Sequence, residues 1–318
     1  MRKSRNALVA ALALGTVLGT GSIALAQTGT ADNISQIEGA VAPNFQKSFK
    51  AGRATLFTQV QTFDGDMGPR TIPDNAAERV LVEFDNDIQV LPGASAGKFP
   101  TCGGQGGSDI DNTSTAQAVA ECKDAIVGSG AAEALVPTPP GAPVPSVLLE
   151  LTVTTINGPT TVNGGPCTPP TGAGTGGPEG CEYQGGNPQI ILHAYEPNVP
   201  FTTTVGGELR PSTDVSADYG TSLVVNDAPD TAGDAGSLIL FGSTVGRTLV
   251  EKSTIGPPNN RRRITKLFDY VKATCQDDGP TGGGLEYDFK ATFTYDDNTT
   301  DTDTFKQKCG NETSTPAP

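Results

Sequence analysis

In LEYDFKATFTY, residues 285–295, every odd position (Leu285, Tyr287, Phe289, Ala291, Phe293, Tyr295) is apolar or aromatic and every even position is polar or charged. A period of two over eleven residues predicts a strand with one buried and one wet face. DDNTTD then supplies a turn and TDTFKQKC returns, so the pattern predicts a hairpin. Upstream, ITKLFDYVKATC reads as a third strand, and an up-down-up meander would bring Cys275 and Cys309 to one end of the sheet. Similar runs stand at 54–63, 78–90, 146–156, 188–196, 201–209, 221–226 and 236–245, separated by Gly, Pro and Asn turn signals. The best helical candidate is STAQAVAECKDA, about two turns long. Many short strands without interleaved helices predict an all-β fold, an antiparallel β-sandwich or jelly-roll-like barrel, loop-rich and disulfide-stapled.

One stretch competes with that picture. AIVGSGAAEAL, residues 125–135, looks like the strand, glycine turn and helix start of a dinucleotide site. Such a site needs a crossover helix of ten or more residues after the glycines. Here AAEALV runs straight into PTPPGAPVP, and Glu133 stands where the third glycine would be. The stretch is therefore expected to be a strand or turn following a disulfide loop.

The N-terminus changes the compartment. Arg2, Lys3 and Arg5 precede an apolar stretch that ends in Ala24-Leu25-Ala26, the pattern of a secretory signal peptide spanning 1–26. Residues 27–50 read as a linker-like segment and 51–310 as a single all-β domain with a Gly/Pro-rich disulfide loop at 157–188. Residues 311–318 read as a flexible tail. The expected location is secreted, with no membrane span after cleavage. Losing residues 1–26 removes three basic residues and no acidic one, leaving 18 Lys and Arg against 35 Asp and Glu, a formal charge of −17. That balance disfavours nucleic acid and anionic membranes as partners.

The six cysteines, Cys102, Cys122, Cys167, Cys181, Cys275 and Cys309, are even in number, as a disulfide framework in an exported chain requires. Sequential neighbours are the expected pairs. The Cys167–Cys181 bridge would order CTPPTGAGTGGPEGC, a segment too rich in Gly and Pro to hold itself by packing. The lone His193, between Ile191 and Tyr195 on one strand face, reads as a packed ring. It excludes multi-histidine metal sites and leaves no G-x-S-x-G serine triad. No catalytic or cofactor-binding residue is singled out. Acidic turns recur at 64–66, 85–87, 230–234 and 296–303. Asp296, Asp297, Asp301 and Asp303 are the calcium candidates, since calcium takes carboxylate oxygens on loops; the same residues are also good turn formers. NNRRRITK is the one basic patch, read as a solvated loop or a contact for an anionic polymer.

The succession RVLVEFDNDIQV, KFPTC, ECKDAIVGSGAA and the closing FTYDDNTT hairpin before Cys309 resembles a group of exported, disulfide-containing all-β bacterial proteins of unknown function. In that group F-P-x-C is followed by cysteine and V-G-x-G-x-A. The similarity runs from about Ala54 to Cys309. The usual turn glycine is replaced here by Asp297 or Asn298, and the loop between Cys167 and Cys181 looks like an elaboration. The resemblance implies fold and export and transfers no catalytic residue. The leading functional expectation is a secreted or surface-associated β-sandwich with a structural or interaction role, its partner being cell envelope, extracellular polymer or protein. The alternatives are a carboxylate-based extracellular hydrolase, and a calcium- or small-ligand-binding module.

Overall fold

The structure, a computed structural model, describes residues 33–311 apart from 44, 47–49, 65–76, 92, 94, 105–106, 111–112, 138–145, 162–185, 199–200, 214–217, 227–236, 258–259, 276–284 and 296–298. Among the described residues the elements are β1 (Asn33–Ala42), β2 (Phe45–Gln46), β3 (Gly52–Arg53), β4 (Thr55–Asp64), β5 (Ala77–Asp85), β6 (Ile88–Val90), α1 (Thr115–Cys122), β7 (Ile126–Pro137), β8 (Ser146–Gly158), β9 (Gln189–Glu196), β10 (Phe201–Pro211), β11 (Tyr219–Asn226), β12 (Ser237–Val245), β13 (Thr248–Ile255), β14 (Arg262–Asp269), β15 (Val271–Ala273), β16 (Glu286–Tyr295), β17 (Thr300–Lys308) and β18 (Gly310–Asn311). The all-β, antiparallel class expected from the alternation is what the structure shows.

Eleven strands form one sheet in the order β1-β4-β12-β7-β8-β9-β10-β11-β5-β16-β17, every neighbouring pair antiparallel. The sheet coils until its edges nearly meet. Alternate residues face inward and build one core: Tyr287, Phe289, Ala291, Phe293 and Tyr295 of β16 are all buried, while the residues between them are half exposed. Because eleven is odd, the edge strands β1 and β17 run parallel to each other. The seam is bridged by side chains: Ser35 N donates to Asp301 Oδ2 at 3.2 Å, Ile37 N to Asp303 Oδ2 at 2.9 Å, and Val41 N to Gln307 Oε1 at 2.6 Å. Opposite the remaining position sits Gly39, where an added Cβ would lie 2.4 Å from the Phe289 ring.

One end of the barrel is plugged. The three-stranded sheet β3-β15-β6, with buried Tyr270 and Phe99 in edge-on contact at 5.1 Å, packs beneath the interior. Strands β4, β7, β9, β11 and β16 all end at the opposite rim. The helix α1 is capped by Ser114, whose Oγ accepts from Gln117 N while Gln117 Oε1 accepts from Ser114 N. It lies outside the barrel, tied by Cys102–Cys122, over a small second core of Ile110, Ala125, Ile156 and Ile191.

Four expectations need correction. The run 264–275 is not the third strand of a meander: β14 pairs with β13, β15 pairs with β3 and β6, and the second neighbour of β16 is β5. The chain bends at Tyr270, whose fully buried ring anchors the plug and divides the run in two. Cys275 nevertheless joins Cys309. The run 78–90 is two strands, because Asp85 Oδ1 accepts from Asp87 N at 2.7 Å and turns the chain between β5 and β6. Finally, residues 33–42 of the linker-like segment form β1, burying Ile37 and Val41 in the core. Asn311 likewise belongs to β18, parallel to β2, while 312–318, the signal segment and the Cys167–Cys181 loop lie outside the described residues.

Candidate functional site

The inward face of the barrel is unevenly filled. Next to the seam it is packed with aromatics: Phe289 meets Phe84 edge-on at 6.5 Å and Phe305 at 6.4 Å. Away from the seam the wall is built from β4–β6 and β8–β12, and its inward residues are branched aliphatics such as Leu56, Val82, Leu192, Val205 and Val225. These cannot reach across to each other, and they leave a cavity of about 110 Å³. Phe84 divides the filled part from the open part.

Strand β7 is the glycine stretch that resembles a nucleotide motif, and it is a strand, as expected. Its residues Gly128, Gly130 and Ala132 pair with the inward-facing Thr155, Val153 and Leu151 of β8, and with Val245, Ser243 and Phe241 of β12. The inner face of β7 is therefore made of small residues. Across it the Thr155 and Ser243 hydroxyls bond each other at 2.5 Å. Among the described residues this pair and Thr58 are the polar groups in an otherwise apolar lining, and none that lines the cavity is charged. The glycines lie within a strand paired on both sides.

The sequence-derived candidates lie elsewhere. Asp301 and Asp303 stand on β17 rather than on a turn, and their Oδ2 atoms accept the β1 amides of the seam. Burial raises the Asp303 carboxyl above its ordinary range, against the lowering effect of the Ile37 and Thr304 amides. Asp296 and Asp297 lie outside the described residues. Among the described residues no three His, Cys, Asp or Glu side chains gather into one group. His193 is fully buried on the outer face of β9, where its Nε2 donates to the Thr113 carbonyl at 2.9 Å and helps seat the α1 segment.

Buried carboxylates are held by donors. Glu83 accepts Lys290 Nζ at 2.9 Å and Ser212 Oγ at 2.6 Å. Glu208 accepts Thr161 Oγ1 at 2.8 Å and Asn187 Nδ2 at 3.0 Å. Asp85 also accepts from Asp288 N at 3.0 Å, and Asp87 from Thr274 Oγ1 at 2.5 Å. Each of these joins elements of the fold. The cavity is what local periodicity missed.

Fold and interior together define a nearly closed antiparallel β-barrel with an apolar chamber. Compared with known proteins, the chain matches no family model, no curated protein and no solved structure.

Proposed function

We propose that this chain is an exported β-barrel binding protein whose interior takes a small, neutral, apolar ligand. The chamber carries the reading. Protein interiors are close-packed, with few voids larger than a water molecule. The apolar side chains around a cavity of about 110 Å³ lack partner atoms across it and so forgo dispersion contacts. A ligand offsets that loss by supplying the missing contacts. An engineered apolar cavity of about 150 Å³ stays dry and accepts benzene, so the size here suits one ring or a short alkyl segment. A charged ligand would be desolvated without a partner, whereas the Thr155–Ser243 hydroxyls suit a single alcohol or carbonyl. The signal-like N-terminus and the two disulfides among the described residues support action outside the cytoplasm.

Calorimetric titration of the mature protein with benzene and with cyclohexane tests this. One saturable site is expected, with a rise in melting temperature. Val205→Phe, or Leu192→Phe as a second filling variant, should weaken binding at least about tenfold while the far-ultraviolet spectrum stays that of the parent. The reading fails if neither compound saturates, or if both filled variants bind as well as the parent.

A further inference from the structure

The two-stranded sheet β13–β14 is chemically unlike the rest of the molecule. Its base rests on the body: Leu249 and Phe268 pack against the core, Lys98 sits 5.1 Å over the Phe268 ring, and Thr248 Oγ1 donates to Asp269 at 2.7 Å. Beyond the base, from the Val250–Leu267 pair to the Ile255–Arg262 pair, most residues are exposed. Six paired positions at about 3.4 Å per residue make an arm of roughly 20 Å.

This arm carries Lys252, Arg261, Arg262, Arg263 and Lys266 against Glu251 and Asp269, in a chain whose formal charge is −14. Asp269 is buried at the base and Glu251 reaches Lys98 of the body at 3.9 Å. A reach of about 20 Å exceeds the Debye length of about 8 Å at physiological salt, so the tip cations are screened from the acidic body. Their field is available to a partner.

We propose that the β13–β14 arm docks a linear acidic polysaccharide. The cations occupy both faces of a thin ribbon, Lys252 and Arg263 on one and Arg262 and Lys266 on the other. A flexible chain can wrap both faces, whereas a bilayer meets only one and would press against the acidic body. Between Val250 and Leu267 there is no aromatic residue, so the arm lacks the stacking platform that single-stranded nucleic acid needs. Arginine forks match carboxylate groups in two-bond geometry. The exposed Val250, Leu267 and Ile255, at 55%, 57% and 50%, offer apolar contact for the sugar C–H faces.

The test is binding of the full mature chain to polygalacturonate, with neutral dextran, anionic phospholipid vesicles and a single-stranded oligonucleotide as comparisons. Saturable binding to polygalacturonate alone is expected, weakening on the order of tenfold between 50 and 200 mM salt as counterions released by about three contacts are recaptured. The variant carrying Arg261→Glu, Arg262→Glu and Arg263→Glu should lose at least about tenfold while melting as the parent does, and the three Arg→Gln changes should lose less. Benzene binding should be unchanged in both, which separates this site from the chamber. Equal binding by the charge-reversed protein, or equal binding to dextran, overturns the proposal. Stronger binding to vesicles or to the oligonucleotide replaces the occupant.

Discussion

Replacing Gly130 with alanine should destabilise the barrel by on the order of 4 kcal/mol, among the largest effects of a single methyl group. An added Cβ there would lie 1.8 Å from the Gly242 carbonyl oxygen of β12 and 2.8 Å from the Ser243 Cα. Both are backbone atoms, so no side chain can rotate away. Relief requires β7 and β12 to part, which breaks their ladder and the Thr155–Ser243 bridge that crosses the glycine face. Ser129→Ala, one residue away on the exposed face, should change stability by less than about 0.5 kcal/mol. Chemical denaturation of the three proteins decides the matter. A Gly130→Ala midpoint equal to the parent's would show that the glycines are not there to let two strands approach.

Local chemistry was legible in the sequence, and the closure of the barrel was not. The alternation of 285–295 and the aliphatic runs of β8, β9 and β12 state which face is buried, because a strand's side chains alternate whatever it pairs with. Disulfide partners close in sequence, Cys102 with Cys122 and Cys275 with Cys309, need little knowledge of topology. The destination of β14 is a different matter. ITKLF has strand character, but whether it joins β16 or β13 depends on its neighbour in sequence, β13, folding back beside it and on the burial of Tyr270, neither of which its own pattern encodes. β1 was missed because NISQIEGAVA interrupts its inward face with Gly39, the residue that accommodates the Phe289 ring. The chamber is further still from local pattern. It exists because the inward volumes of eight strands fall short of the space they enclose, and that is a sum over residues up to about two hundred positions apart.

The seam joins residues yet more distant, and it should respond to the loss of two acceptors. The variant carrying Asp301→Ala and Asp303→Ala should be destabilised by about 2–6 kcal/mol, since the Ser35 and Ile37 amides lose their partners at about 1–3 kcal/mol each. Asp303→Asn should behave differently. The amide oxygen still accepts from Ile37, while the burial that raises the carboxyl's pKa no longer acts on a charge. A carboxyl whose folded pKa lies above its unfolded value contributes stability below the unfolded pKa, and that contribution is lost as pH rises through the folded one. Asp303→Asn should therefore match or exceed the parent at pH 7, and lose that relative advantage as the pH falls through the raised folded pKa and the ordinary carboxylate range. Melting curves of the parent, the Asn variant and the double Ala variant between pH 3 and pH 7 separate the two effects. An Asn variant as unstable as the Ala protein at pH 7 would mean that the negative charge itself, rather than an acceptor at that position, holds β1 against β17.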